Sequence, residues 1–210
     1  MLKTFVRLEN KMLINNQNLS ENLLPQDGHA QLLDLFLTPV ESDRYFQNLQ
    51  TEIMWKQEPI KIFGKPVMQP RLTALYGDLE KPYKYSGTTM TPKLWTNTLL
   101  EIKWRVEAVT NLKFTTALLN QYRNGQDSMG WHRDNEKELG PNPTIASVSF
   151  GATRRFLFRH YNEKDLKAAV DLTHGSLLIM SGSCQHFWQH SIPKTKLETG
   201  PRINLTFRTL

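Results

Sequence analysis

The sequence predicts an α+β fold in which an antiparallel sandwich or jelly roll is backed by helices from the N-terminal half. Two observations predict it: two amphipathic helical segments with N-terminal capping signals before residue 110, and short β-type runs broken by Gly, Pro and polar turns from Phe114 onward. A third sets the scale, since 210 residues with 39% hydrophobic and 22% charged side chains suit one soluble domain with a real core.

Residues 1–23 are polar and include the Asn/Gln-rich stretch INNQNLSEN, which offers no periodic apolar face and predicts a mobile arm before a domain spanning 24–210. The first helix starts at Thr38-Pro39-Val40-Glu41. Thr38 can cap it, Pro39 suits its first position, and Glu41 can reach back as in a capping box, with Phe46, Leu49 and Ile53 on one face. A second start at Thr91-Pro92 leads into Trp95, Leu99, Ile102, Val106 and Val109, at helical spacing. Residues 60–90, between the helices, are rich in Gly, Pro and Tyr and read as shaped loops and hairpins. The expected strands of the 114–210 core are Phe114 to Tyr122, Ile145 to Phe150, Arg155 to Arg159, Ser176 to Met180 and Ile203 to Arg208.

No apolar run approaches a membrane span, and Arg7, Glu9 and Lys11 stand where a secretory signal needs its apolar core. The expectation is an intracellular protein, cytoplasmic in a bacterium or nuclear in a eukaryote, without a membrane partner. Cys184 is the single cysteine, so any metal must sit on His, Asp or Glu. The net charge of +6 and pI near 9.4 favour a polyanionic partner, because Lys and Arg gain affinity by releasing counterions from phosphates.

The chemistry-bearing constellation begins at His132-x-Asp134 in DSMGWHRDNE, a spacing that turns both side chains to one side of an extended segment. His190 is the best candidate for a third ligand, completing a two-His, one-carboxylate site with open positions for iron(II). His160, His174 and His186 are its rivals. His186 and His190 also have helical zinc spacing, but Gly182, Trp188 and the preceding strand argue against a helix there. In the last strand Arg202, Asn204, Thr206 and Arg208 alternate with Ile203, Leu205 and Phe207. A polar face with two arginines and no acid suits a dicarboxylate such as 2-oxoglutarate, which arginine grips through paired hydrogen bonds. Leu118, Asn120 and Tyr122 share a face of an earlier strand and add an amide and a phenol.

In order, Asn120-x-Tyr122, His132-x-Asp134, His190 and Arg202-x-Asn204-x-Thr206-x-Arg208 resemble the signature of the AlkB family of iron(II)/2-oxoglutarate dioxygenases. The resemblance runs from about Leu24 to Leu210, and LNQYRNGQDSMGWHRDNE is close to the branch that repairs methylated bases. It implies a double-stranded β-helix, with His132, Asp134 and His190 as catalytic iron ligands. Asn120, Tyr122, Arg202, Asn204 and Arg208 would hold 2-oxoglutarate, Arg202 at the distal carboxylate and Arg208 at the one beside the keto group. The implied reaction uses O2, converts 2-oxoglutarate to succinate and CO2, and hydroxylates an N-methyl group that leaves as formaldehyde. The implied substrate is nucleic acid, DNA ahead of RNA, with lesions such as 1-methyladenine and 3-methylcytosine, acted on by a monomer. The same chemistry on RNA, and a catalytically silent nucleic-acid-binding module, are the alternatives.

Family likeness places a base pocket in the 60–90 loops and beside the iron motif, at Tyr83, Tyr85, Trp131 and Glu136. There an aromatic can stack on a flipped base and a carboxylate can accept from its amino group. In Ile60 to Lys65 an extended ribbon turns Lys61, Phe63 and Lys65 to one side, and Phe63 is the candidate wedge replacing the flipped base. Arg71 and Arg123, with Arg133, Arg154, Arg155 and Arg159 near the site, are candidate phosphate contacts.

Overall fold

The computed structural model describes residues 19–62, 65–78, 83–85 and 88–210, without the side chains of 60–62, 83–85 and 88–90. The chain order begins β1 (His29–Leu33), α1 (Pro39–Glu52), β2 (Pro59–Ile62), β3 (Lys65–Met68), β4 (Leu72–Gly77), β5 (Tyr83–Tyr85), β6 (Thr88–Met90), β7 (Lys93–Leu94) and α2 (Asn97–Thr110). It continues with β8 (Thr116–Tyr122), β9 (Met129–His132), β10 (Ile145–Gly151), β11 (Arg154–His160), β12 (Lys167–Leu172), β13 (Leu177–Ser181), α3 (Cys184–Phe187), β14 (Trp188–Ile192) and β15 (Arg202–Arg208). A seven-stranded sheet, β1-β13-β10-β15-β8-β4-β7, faces a four-stranded one, β12-β11-β14-β9. Pairing is antiparallel except between β4 and β7, so the expected α+β jelly roll is the fold observed.

The capping box forms at α1: Thr38 Oγ1 accepts from the Glu41 N–H, and the Glu41 carboxylate accepts from the Thr38 N–H at 3.0 Å. Ser42, Tyr45 and Leu49 are its buried stripe. The second helix starts later than its sequence signal. Thr96, not Thr91, caps α2, and Thr91-Pro92 instead precede the short strand β7. Thr96 Oγ1 accepts from the Leu99 N–H, so the cap lies five residues beyond the Thr-Pro signal.

Alternation along the large sheet sorts its side chains into two layers. Ala117 and Leu119 of β8, Ala146, Val148 and Phe150 of β10, and Ile203, Leu205 and Phe207 of β15 pack with Leu49, Leu99, Ile102 and Val106 of the helices. The opposite face looks into the space between sheets, where Tyr122, Ile145, Leu178 and Met180 meet Phe156, Phe158, Trp188 and Ile192 of the small sheet. Both faces of the large sheet are therefore buried, and β15 is buried at every residue. Gly151 ends β10 with φ of 82°, where a Cβ would stand 2.3 Å from the Pro201 carbonyl oxygen; only glycine fits that crossing.

Several elements are not legible in the sequence. β4, inside the 60–90 stretch that reads as loops, is a nearly buried strand beside β8. β1, β9, β12 and β14 also escape a reading by pattern, being short or without clean alternation. The expected hairpins do occur: β2 pairs with β3 and β5 with β6. Phe63 lies outside the described residues, as do the side chains of Tyr83 and Tyr85. Residues 20–23 run beside β1, with the Ser20 and Leu23 N–H groups donating to Leu32 and Ala30 carbonyls. Residues 1–18 of the expected arm lie outside the described residues.

Candidate metal and 2-oxoglutarate centre

His132, Asp134 and His190 come together between the sheets, with ligand atoms within 4.8 Å of one another. β9 and β14 place the histidines, because His132 is the cross-strand partner of His190 and their rings lie 4.2 Å apart. The register then shifts: Met129 pairs with Ile192, so three steps along β9 match two along β14. This bulge lets Met129 and His132, which simple alternation would put on opposite faces, both face the inner layer. Asp134 follows the end of β9 and is 1% exposed; its N–H donates to the side-chain carbonyl of buried Gln185 at 2.9 Å.

The surroundings fix the protonation state that a metal requires. His132 Nδ1 donates to the Gly130 carbonyl at 2.9 Å, leaving the Nε2 lone pair for a cation. Burial, with the charges of His132 and Arg208 nearby, pushes His190 down to about 3, so its imidazole is neutral at physiological pH. Burial works against the ionised form of Asp134, but Arg208 Nη2 at 2.6 Å, aided by the two histidines, outweighs it and holds the carboxyl below its ordinary range. His190 Nε2 stands 3.8 Å from Asp134 Oδ2, and Phe156 stacks on the His190 ring at 5.2 Å.

The rival histidines are engaged elsewhere. His174 Nδ1 accepts from the Gly151 N–H while Nε2 faces Asp43. His186 Nε2 accepts from the Asn142 N–H, and α3 ends before His190, so the two do not share a helix. His160 lies with Asp27 and Glu163 in a second group of ligand-capable residues. There, however, Nδ1 accepts from the Glu163 N–H at 2.9 Å, which puts the proton on Nε2, 3.3 Å from Asp27 Oδ2. A cation on Nε2 would force Nδ1–H against that backbone N–H, so the trio reads as a clasp between the Asp27 loop and the β11–β12 turn.

The anion-binding face is equally specific. Arg202 is opposite Tyr122 and Asn204 opposite Asn120, all pointing between the sheets. Arg202 is 1% exposed, donates from Nη2 to Ser149 Oγ at 2.9 Å, and lies over the Tyr122 ring at 5.1 Å. Its Nε and Nη1 are buried without an acceptor. Two orphaned donors on one guanidinium fit a carboxylate. Asn204 instead braces the sheet, since its amide donates to Ser147 Oγ and the Val148 carbonyl and accepts from Thr206, linking β15 to β10.

Other expected site residues separate. Glu136 is half-buried, with one carboxylate oxygen buried and unpartnered; burial raises its pKa. Arg71 is not at the surface: it is 5% exposed and its Nε donates to Asn120 Oδ1 at 2.7 Å, orienting that amide. Arg154 is likewise buried, donating to the Asn124, Asp127 and Pro193 carbonyls, which removes it from the phosphate contacts. Arg123 and Arg155 are paired with Asp127 and Asp171. Trp131 does not enter the base pocket. As the neighbour of inward-facing His132 it points to the outer face of the small sheet, against Arg159. Sequence reasoning missed Gln185 and Ser149, whose roles depend on contacts 51 and 53 residues away along the chain.

A jelly roll carrying a buried two-histidine, one-carboxylate cluster beside an arginine with unpaired donors defines the class of mononuclear iron oxygenases that use a dicarboxylate cosubstrate. The 2OG-Fe(II) oxygenase superfamily pattern matches residues 29–208. The chain is 41% identical over 180 residues to the DNA oxidative demethylase ALKBH2 of Mus musculus, covering 81% of this chain and 75% of that one. It is 43% identical over 184 residues to the alpha-ketoglutarate-dependent dioxygenase alkB homolog 3 of Bos taurus, covering 83% and 64%. The solved structure of OsALKBH1 superposes with a TM-score of 0.66 at 20% identity, covering 92% of this chain and all of that one, a likeness of fold. The chain belongs to the AlkB family of the 2OG-Fe(II) oxygenase superfamily. It is an iron(II)- and 2-oxoglutarate-dependent dioxygenase.

Proposed function

We propose that this enzyme oxidatively removes methyl groups from N-alkylated nucleic-acid bases of the 1-methyladenine and 3-methylcytosine type, DNA ahead of RNA. The observation that carries it is the identity above 40% to ALKBH2 and alkB homolog 3 over most of the chain, the former named a DNA oxidative demethylase. The buried, unpartnered carboxylate oxygen of Glu136, two residues beyond Asp134, supports it as an acceptor for a base amino group.

In this reading His132 Nε2, Asp134 and His190 hold the iron, while Arg202 takes the distal carboxylate of 2-oxoglutarate and Asn120 and Tyr122 complete its pocket. Arg208, already on Asp134, contributes positive charge beside the second carboxylate. Asn204 supports that pocket by tying β15 to β10. Bound iron and 2-oxoglutarate supply the oxidation of the N-methyl group. The chain itself keeps both histidines neutral, keeps Asp134 ionised, excludes water with the Phe156 and Phe158 wall, and holds the base within reach. One chain supplies every residue named, consistent with action as a monomer, and among the described residues no helix is long and apolar enough to cross a membrane. Tyr83 and Tyr85 on β5 remain the candidate stacking residues, and Phe63 between β2 and β3 the candidate wedge.

The test is incubation of the iron-loaded enzyme with methylated DNA and RNA oligonucleotides, single- and double-stranded, reading a loss of 14 Da (about one methylene, the mass of a methyl replaced by hydrogen) with formaldehyde and succinate release. Succinate formation without mass loss on any oligonucleotide refutes the substrate assignment while leaving the dioxygenase intact.

A further inference from the structure

On the outer face of the small sheet, behind the metal cluster, β9, β14 and β11 build a surface that the iron chemistry does not use. Trp131 is 38% exposed and carries the Arg159 guanidinium 4.3 Å from its ring centre. Arg159 Nε is held in place by Gln189 Oε1 on the intervening strand, at 2.8 Å. Two residues further along both strands the arrangement repeats. Arg133 lies 4.3 Å from the ring centre of Tyr161, which is 49% exposed, and Arg133 Nη1 donates to the His186 carbonyl at 2.7 Å. From the first pair a groove lined by Trp131, Leu157, Arg159, Lys167 and Ala169 extends across β11 and β12.

Two properties of this surface select an occupant. Arg133, Arg159 and Lys167 take part in no salt bridge among the described residues, whereas Arg155 on the same face is neutralised by Asp171 at 3.0 Å. Unneutralised cations in a row favour a polyanion. The exposed rings narrow the choice, because stacking on Trp or Tyr needs a base whose own face is free, as in a single strand and not inside a duplex. Each guanidinium covers its ring and fixes its orientation, so the rings are presented with little further ordering. β9 is the edge strand of its sheet, and His132 lies between Trp131 and Arg133, so this surface adjoins the segment that carries the iron ligands.

We propose that Trp131 and Tyr161, with Arg133, Arg159 and Lys167, form a docking platform for single-stranded nucleic acid. The platform stacks unpaired bases flanking the one under repair and pairs their phosphates with the arginines. It rests on the nucleic-acid reading above and adds to it a second contact region outside the reaction pocket.

The probe is a 5′-labelled unmethylated 15-nucleotide DNA strand, titrated without oxygen into the full chain loaded with iron(II) and 2-oxoglutarate and followed by fluorescence anisotropy. Trp131→Ala and Tyr161→Ala each weaken binding roughly 5- to 160-fold, the range of one lost base–aromatic stack. Trp131→Phe, which keeps a ring, restores most of the loss. Arg159→Gln lowers the slope of log affinity against log salt by about 0.7, one single-strand phosphate contact. On a methylated trinucleotide Tyr161→Ala keeps the wild-type kcat, whereas KM for a methylated 15-mer rises with the binding loss. An affinity unchanged in both alanine variants overturns the platform, as does a wild-type chain that ignores the unmethylated strand or prefers its duplex. Platform-dependent strand binding without demethylation of any oligonucleotide would instead sink the base-repair reading and leave the platform standing.

Discussion

Arg202→Met separates what a buried cation costs from what it is for. The guanidinium is 1% exposed, satisfied at Nη2 by Ser149, and left with two buried donors that have no acceptor. Burial lowers its pKa to about 10, so it is still charged at neutral pH. Each orphaned donor costs about 1–3 kcal/mol, and replacing a buried charge by an apolar side chain of similar volume returns about 1–4 kcal/mol. Loss of the contact with the Tyr122 ring removes about 1 kcal/mol. The variant without cosubstrate is therefore expected to be about 0–3 kcal/mol more stable than the wild type. Binding moves the other way: losing the charged partner of a buried carboxylate costs about 2–5 kcal/mol, roughly 30- to 5,000-fold in 2-oxoglutarate affinity. Urea unfolding with and without 2-oxoglutarate reads both effects. At one hundred times its dissociation constant the cosubstrate adds about 2.7 kcal/mol to the wild type and nothing measurable to the variant. A variant that is less stable than wild type, or that is still stabilised by 2-oxoglutarate, refutes the assignment of Arg202.

Gln185→Leu removes the acceptor of the Asp134 N–H and should weaken iron(II) or cobalt(II) binding by about 10- to 100-fold, measured by metal titration; an unchanged affinity rules out its positioning role. Asp127→Asn tests the loop between the cofactor strand and β9. Burial raises the Asp127 pKa, but the Arg123 side chain and backbone N–H outweigh it and leave the carboxyl below its ordinary value. The depressed pKa means stability that is present above about pH 4 and lost as pH falls through the folded value, so the gap to Asp127→Asn should be about 1–3 kcal/mol at neutral pH and close in acid. A gap independent of pH between 2 and 7 (about the span of carboxylate titration) contradicts the ion pair. Gly151→Ala, forced against the Pro201 carbonyl at positive φ, should cost at least about 1–3 kcal/mol in urea unfolding, with a value near zero showing that the crossing can relax.

What the sequence discloses depends on whether a residue's role is local. The capping box at Thr38 and Glu41 is a matter of three residues, and it forms as the sequence predicts. The alternation of β15 places its four polar residues on one inner face, because a strand's periodicity is its own property. His190 is harder: other histidines compete for the role, and its selection depends on β14 pairing with β9, a long-range register the sequence does not display. Arg71 and Arg154 show the opposite failure. Arginine is expected at the surface, but Arg71 is drawn inside by the Asn120 amide and Arg154 by three carbonyls. β4 reads as loop in the sequence because its partner β8 begins only at Thr116, beyond two hairpin strands, β7 and the helix α2. Trp131 is expected in the base pocket on family likeness alone, whereas alternation from inward-facing His132 sends its neighbour to the outer face, where it lies against Arg159.

The irregularity in β9 makes chain length itself a conserved quantity over a very short stretch. Three strictly alternating steps from Met129 to His132 would swing either His132 out of the cluster or Met129 out of the inner layer; the bulge absorbs the extra residue, and within it the Gly130 carbonyl accepts from His132 Nδ1 and fixes its tautomer. The turns on either side, at Asn124 to Gln126 and at Gly140 to Asn142, connect elements without setting which way a ligand points. Among descendants of this gene, insertions and deletions should therefore accumulate in those turns and be purged from the four residues between them that carry the Met-Gly-Trp-His count, even where every individual side chain there could be exchanged.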